Sequence, residues 1–466
     1  LSAVRGQSWS LQQWLTSPIN RYSPFFVQDE DRAVTQNNDH IGGLSRRGFF
    51  EGVASFAALA SMTNLPHAAA EPASRPLSIE SRTRSLAKGI EQAMLTGLKR
   101  NSARYPLGEA STIVHVLQNL QLGLAMNYVN ADPARPTLFN YMNPHVKQGG
   151  DNTDAFYSGF AVDARNTYRL HGKLGGARYV SFTTVERDDS TPWGGAMGAA
   201  LYGHEMEVEP DGSFEVIVSA KPHEGNWLRI TERDFRVTIR QFFADWENEA
   251  PMSAMVELVG ESGIEPIANN AENMMQAMEA SVEWLHTTVN FWQDVIDMYR
   301  QHPNAFKSWR ELTGDGVNAT PGGDPDICYW NIPEGKALIL RVQPPECLFW
   351  NVEFNNPWWE TMDYRFHLAG TNNHHAVLED DGEVILVAAH EDPGLPNWLD
   401  TCGHTEGMMG RRWMFAKENP RYSCTLVDFD QLDAVLPAGV KRITPEGRKE
   451  QLAARRRGLY KRFVTL

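Results

Sequence analysis

Apolar residues along the chain change their spacing from segment to segment, and each change marks a different kind of element. Over residues 80–102 and 109–126 they fall three and four apart, and Ile113, Val116, Leu117, Leu120 and Leu124 share one helical face. From about Phe156 the period drops to two, in segments such as "NTYRLHGKLGGARYVSFTTV" and "GSFEVIVSAK" broken by Gly and Pro, which predicts short antiparallel strands. Helical spacing then returns without interruption in Met275, Met278, Val282, Leu285, Val289, Trp292, Ile296 and Tyr299. This Met and aromatic stripe predicts a long helix lying on a sheet. After Gly335 the strands resume in "KALILRVQ", "CLFWNVEF", "YRFHLAG" and "GEVILVAA". Thr444, Pro445 and Glu446 open a closing helix, with Thr as cap and Pro in the first turn.

The two strand regions repeat one pattern. "GHEMEVEPDG" (203–212) matches "NHHAVLEDDG" (373–382), placing His204 over His374 and Asp211-Gly212 over Asp381-Gly382. Asn226-Trp227-Leu228 and Asn397-Trp398-Leu399 follow at nearly the same distance, and Arg240 and Arg411 each stand fourteen positions after the Asn. Pro192-Trp193 pairs with Pro357-Trp358 at a looser spacing. Tandem related β units follow. Each Asp-Gly supplies the left-handed turn of a hairpin. The expected fold is mainly β with helical additions (α+β): two tandem antiparallel β units in jelly-roll or β-sandwich form, with an N-terminal helical region, a long connecting helix and a C-terminal helix.

The stretches "DGEVILVAAHEDPGLPNWLDTCGHTEGMMGRRW" and, more weakly, "DGSFEVIVSAKPHEGNWLRITERDFRVTIRQF" resemble the bacterial family known as domain of unknown function 1214. In character the resemblance covers residues 130–435. It implies a β-sandwich with helical additions; the family has no settled activity, and hydrolysis of a saccharide-like substrate is only a proposal for it. Fold does not carry function with it.

Composition narrows the classes. With 42% hydrophobic and 22% charged residues, the 466-residue chain can bury one or two cores. A formal net charge of -15 without a basic stripe argues against a nucleic-acid partner. The basic run "RKEQLAARRRGLYKRF" at the end reads as a solvated face or a clamp onto the acidic body. Arg46-Arg47, a Phe-Phe pair, a modest apolar run and small residues at 68–70 resemble a twin-arginine export signal. The run is too short for a stable membrane anchor, so the export machinery is a predicted partner and the periplasm or the exterior the predicted location. The first Met is Met62, which makes residues 1–44 a disordered or mis-assigned leader. The remaining boundaries are a signal peptide at 45–70, a helical region at 71–140, a first β unit at 141–265, a connecting helix at 266–312, a second, family-like β unit at 313–435 and a basic helix at 436–466. Cys328, Cys347, Cys402 and Cys424 show no CxxC spacing; one or two disulfides are compatible with export.

The repeat separates residues needed twice, which serve architecture, from those present once. Asp400, Cys402, His404 and Glu406 align with Arg229, Thr231, Arg233 and Phe235 and are therefore candidates for chemistry. A carboxylate pair about 5–10 Å apart serves glycoside hydrolysis as acid and base. The catalytic candidates are Asp400, His404, Glu406, Glu353 and Asp363, with Glu360 a further carboxylate. Trp358 and Trp359 of "NPWWE" offer a platform for a sugar ring, with Arg412 and His390 as further contacts. A metal reading draws on His374, His375, His390, Cys402 and His404, but no ligand spacing matches it, and the sequence leaves the cofactor open. GxSxG and phosphate-loop motifs are missing. Two functions follow: a hydrolase acting on a small saccharide-like substrate, or a non-catalytic binding or scaffold protein with an aromatic face.

Overall fold

In a computed structural model of the chain, residues 78–101, 107–313 and 320–463 are described. The lead-in and the export signal expected before residue 71 lie outside the described residues. Two helices come first, α1 (Ile79–Arg100) and α2 (Gly108–Leu124). The first β unit runs through β1 (Phe139–Met142), β2 (Ala155–Ala161), β3 (Tyr168–Lys173), β4 (Tyr179–Glu186), β5 (Met197–Tyr202), β6 (Ser213–Ser219), β7 (Trp227–Arg229), β8 (Asp234–Phe242) and β9 (Ser253–Leu258). The long helix α3 (Ala271–Arg300) follows.

The second unit holds β10 (Phe306–Ser308), the short α4 (Trp309–Thr313), β11 (Asp326–Asn331), β12 (Lys336–Val342), β13 (Phe349–Asn355), β14 (Gly370–Asn372), β15 (Val384–Ala389), β16 (Trp398–Asp400), β17 (Glu406–Met414) and β18 (Ser423–Asp428). After α5 (Leu432–Val435), the helix α6 (Pro445–Arg462) closes the described chain.

The repeat is complete at the level of topology. One five-stranded sheet has the order β1-β2-β8-β4-β5 and the other β10-β11-β17-β13-β14; the four-stranded sheets read β7-β6-β3-β9 and β16-β15-β12-β18. Each unit is a sandwich of its own two sheets. Phe160, Phe182, Val216, Val218 and Ile239 fill the first and Trp330, Leu340, Val352, Phe354 and Leu386 the second.

Local chemistry repeats with the topology. Gly212 and Gly382 take φ of 81° and 84° in their hairpins, where a side chain would be strained. Asn226 accepts from the Glu207 N–H and donates to the carbonyls of Glu207 and Glu215. Asn397 does the same with Val377 and Ile385. The indoles of Trp227 and Trp398 donate to the Ser219 and Ala389 carbonyls. One segment departs from expectation. In "YRFHLAG" only Gly370 begins a strand, because Asp363 nucleates a turn: its carbonyl accepts from the N–H groups of Phe366 and His367, and its carboxylate holds Arg365 at 2.7 Å.

The outer faces of the two five-stranded sheets meet. Phe242 packs on Phe349 at 5.5 Å, and the Tyr179 hydroxyl donates to the Pro321 carbonyl. The stripe on α3 lies over the second of these sheets, with Trp292, Ile296 and Tyr299 against Ile327, Tyr329 and Trp359. The basic residues of α6 form a clamp. Arg448, Arg455 and Arg462, spaced seven apart on one face, are buried, and they bond Asp392, the Gly370 carbonyl and the Thr153 carbonyl. All four cysteines are free thiols. No helix of the described residues is long and apolar enough to cross a membrane.

Candidate functional site

The strand ladders revise one equivalence drawn from spacing. Phe242 pairs with Tyr179 at the end of the β8–β4 ladder, as Met414 pairs with Phe349 at the end of β17–β13. Counting back two residues, Arg240 faces Ser181 and Arg412 faces Asn351. The counterpart of Arg240 is therefore Arg412, not Arg411. The cause is one extra residue in the preceding turn, 401–405 against 230–233, taken up where Cys402 and Gly403 adopt φ of 51° and 84°. A one-residue slip turns a side chain to the opposite face of a sheet. Arg411 accordingly points into its own sandwich, paired with Asp326, both fully buried. Arg412 points to the junction, as Arg240 does.

Both arginines line one cleft between the units, together with Tyr141, Tyr157, Trp193, Trp292, Trp309 and Trp359. Its interior volume is about 90 Å³. The floor is the Gly149-Gly150 turn, with φ of 51° and 70°; a Cβ on Gly149 would stand 2.0 Å from the Trp292 ring and one on Gly150 2.9 Å from the Trp359 ring. Trp359 crosses Trp292 edge to face at 5.5 Å and leans on Trp309 at 5.4 Å. It also holds φ of 56°, in the left-handed region, where the first unit uses Gly194 after its own Pro-Trp. Strain of this kind gathers at functional sites. The indole N–H groups of Trp292, Trp309 and Trp359 are buried without a hydrogen-bond partner. Such donors are rare in folded proteins, and each costs roughly 1–3 kcal/mol when left unpaired.

Charge at the cleft is uneven between the copies. Arg240 donates to the Thr183 hydroxyl at 3.1 Å, whereas Arg412 pairs with Glu353 and donates to the Gly150 carbonyl at 3.1 Å. Glu353 fits because it faces Gly410 across the ladder, where a Cβ would stand 2.1 Å from its carboxylate. Burial pushes the Glu353 carboxyl up to about 7, against the pull of Arg412. Asp151, beside Gly150, is pushed up to about 6 by burial, with Lys147 and Thr361 holding it back. Its oxygens accept from the Thr361 N–H at 2.9 Å and hydroxyl at 2.6 Å.

Of the residues singled out in the sequence, Trp359 and Arg412 line this cleft and Glu353 lies directly behind it. Trp358 is turned away and fully buried, stacked on His115 at 4.0 Å and bonded to Thr112. The other carboxylates lie apart from Glu353 in the bonding pattern: Asp363 with Arg365, Asp400 with His367 at 2.7 Å. Glu360 is held by His115 and Gln118. Glu406 is partly buried at the start of β17 and interacts with the Tyr329 phenol. His390 bridges the Ile332 carbonyl and the Thr401 hydroxyl. His374 and His375 dock near Asp245 and Trp246, and burial pushes the His404 imidazole down to about 4.

Residues 152–245 match the family model described as Protein of unknown function (DUF1214). The DUF1214 match spans β2 to β8 of the first β unit and includes Tyr157, Trp193 and Arg240 of the cleft. A crystal structure of an uncharacterized protein from Burkholderia cenocepacia is similar at 28% identity and a TM-score of 0.71, covering 76% of this chain and 98% of that one. The VPA0106 protein from Vibrio parahaemolyticus aligns at 10% identity and a TM-score of 0.40, over 73% of this chain and 100% of that one. No curated protein matches the chain.

The cleft residues missed in the sequence include Tyr141, Gly149, Gly150, Tyr157, Trp193, Arg240, Trp292 and Trp309. Two carry a signal: Trp193 and Arg240 belong to the repeat, whose duplication reads as purely architectural. Trp292 lies in a helical stripe that reads as core, and most of that stripe is core.

Proposed function

We infer that the protein binds a small, ring-bearing molecule rich in acceptor oxygens, of the aromatic or sugar carboxylate class, in the cleft between its β units. The observation carrying this reading is the set of three cleft-lining tryptophans whose indole N–H donors have no partner, beside two arginines. Indole faces offer a ring flat apolar surface, their N–H groups call for acceptors, and a guanidinium favours a planar carboxylate. A cleft lined by apolar rings with a few placed polar groups suits such ligands. The test is a thermal-shift and calorimetric screen of ring carboxylates beside their neutral amides. Stabilisation by acids alone, lost in Arg240→Met, supports the reading; equal stabilisation by amides, or none by either, sinks it.

A hydrolytic reading keeps one specific support. Burial pushes Glu353 up to about 7 and Asp151 up to about 6 beside the cleft, toward the range a general acid needs. Here Glu353 would donate the proton to a leaving group, and Glu353→Gln would abolish turnover while leaving binding in place. The twin-arginine pattern at Arg46-Arg47 supports an exported, periplasmic location, tested by whether Lys at both positions keeps the chain in the cytoplasm.

A further inference from the structure

Away from the cleft, three side chains of different chemistry converge in the second β unit. Nδ1 of His367 lies 2.7 Å from Oδ2 of Asp400, and one ligand atom from each of His367, Asp400 and Cys402 lies within 4.8 Å of the other two. All three residues are half-buried. The backbone N–H of Cys402 donates to Asp400 Oδ1 at 2.8 Å, which ties the thiol to the carboxylate and leaves Oδ2 facing His367. Cys402 also lines a polar groove with His145, Lys147, Asp363 and His404.

The first β unit serves as an internal control. At the matching turn it carries Arg229 and Thr231, and closes the chain with Thr231 bonded to Asp234 Oδ2 at 2.7 and 2.9 Å. The fold therefore needs neither the Asp nor the Cys. The extra residue that shifts Arg412 to the cleft face sits in this same turn, where Cys402 holds φ of 51°.

We propose that His367, Asp400 and Cys402 bind a divalent cation of the zinc class, with one coordination position open to solvent or substrate. The donor set is one nitrogen, one oxygen and one sulfur. A thiolate disfavours calcium and magnesium, and an imidazole with a thiolate suits zinc. Bonds of about 2.0–2.3 Å place such donors between roughly 3 and 4 Å apart, so small side-chain movements close the group. Binding releases the thiol proton and the proton shared by His367 and Asp400 to solvent; the metal takes their place and no redox change occurs. Three protein ligands and an open position are the pattern of a reactive rather than a purely structural zinc site.

The test uses the full chain, stripped with a chelator and titrated with Zn²⁺ against a chromophoric competitor. One equivalent is expected, weakened about 100-fold or more in Cys402→Ser and in His367→Gln. His223→Gln, which alters an exposed imidazole in the first β unit, should bind as the parent does. Co²⁺ in place of Zn²⁺ should give a thiolate charge-transfer band that vanishes in Cys402→Ser. His367 is 41% exposed, so His367→Gln carries the test even where Cys402→Ser fails to fold. Absence of stoichiometric binding, a band that survives Cys402→Ser, or unchanged affinity in His367→Gln overturns the proposal.

Discussion

Arg240 and Arg412 are one residue of the repeated unit, present twice, and the two guanidiniums share a cleft while meeting different partners, Thr183 in one unit and Glu353 in the other. The junction is thus nearly symmetric in backbone and asymmetric in charge. A neutral hydroxyl stands where the second copy has a buried carboxylate.

That asymmetry sets the cost of removing each guanidinium. Above pH 7, where its carboxylate is ionised, Arg412→Met leaves the fully buried Glu353 without its partner, which costs about 3–5 kcal/mol. At the matching position Arg240→Met removes a bond to the Thr183 hydroxyl, and that bond is worth about 1 kcal/mol. Urea denaturation of the two variants should show the larger loss at Arg412. Equal losses would mean that the pair with Glu353 does not govern this part of the junction.

Glu353 also ties stability to pH. Its carboxyl is raised from 4.5 to about 7 in the folded chain, so the folded state binds its proton more tightly than the unfolded state. This contribution is complete below about 4.5 and is lost as pH rises toward 7. Its size is a few kcal/mol at most. In Glu353→Gln the fall in stability between these pH values should flatten relative to the parent chain. A parallel curve would show that Glu353 is already ionised when folded.

Much of the fold was legible because it is written twice. Asn-Trp-Leu and Asp-Gly recur at matched distances, and a hairpin turn or a side chain capping backbone groups is set by local chemistry that sequence displays directly. The cleft was hidden for a physical reason. It forms where the apolar outer faces of two sheets meet, so its residues alternate like any core strand, and Trp292 obeys the same spacing as its buried neighbours. The register of β17 was hidden too, since one residue added in a turn changes which arginine faces the cleft without changing the motif.

The duplicated asparagines give a direct check on the repeat. Asn397 is 5% exposed and makes three bonds to Val377 and Ile385. Asn226 makes the equivalent three in a more open place. Asn397→Ala should cost about 2–3 kcal/mol, because buried backbone groups lose their partner, and Asn226→Ala clearly less, since water replaces the amide. Thermal unfolding of the two variants measures the difference; a reversed order would contradict the burial assigned to the two turns.

Trp359 sets local strain against packing, and the two can be weighed. Its φ of 56° is the conformation that Gly194 adopts after Pro-Trp in the first unit, and a side chain there costs about 1–2 kcal/mol. Trp359→Gly removes that cost. It also removes a buried indole that touches Trp292, Trp309 and Tyr299, and emptying such a site costs about 3–5 kcal/mol. Lost packing outweighs relieved strain, so the variant should be less stable by about 2–3 kcal/mol, read as a lower urea midpoint. Trp359→Phe keeps the strain and most of the ring but loses the N–H; it should stay folded while ring carboxylates no longer protect it as they do the parent. If Trp359→Gly were as stable as the parent, the left-handed Trp would be tolerated without contributing to the cleft, and the argument that its strain marks a binding site would fall with it.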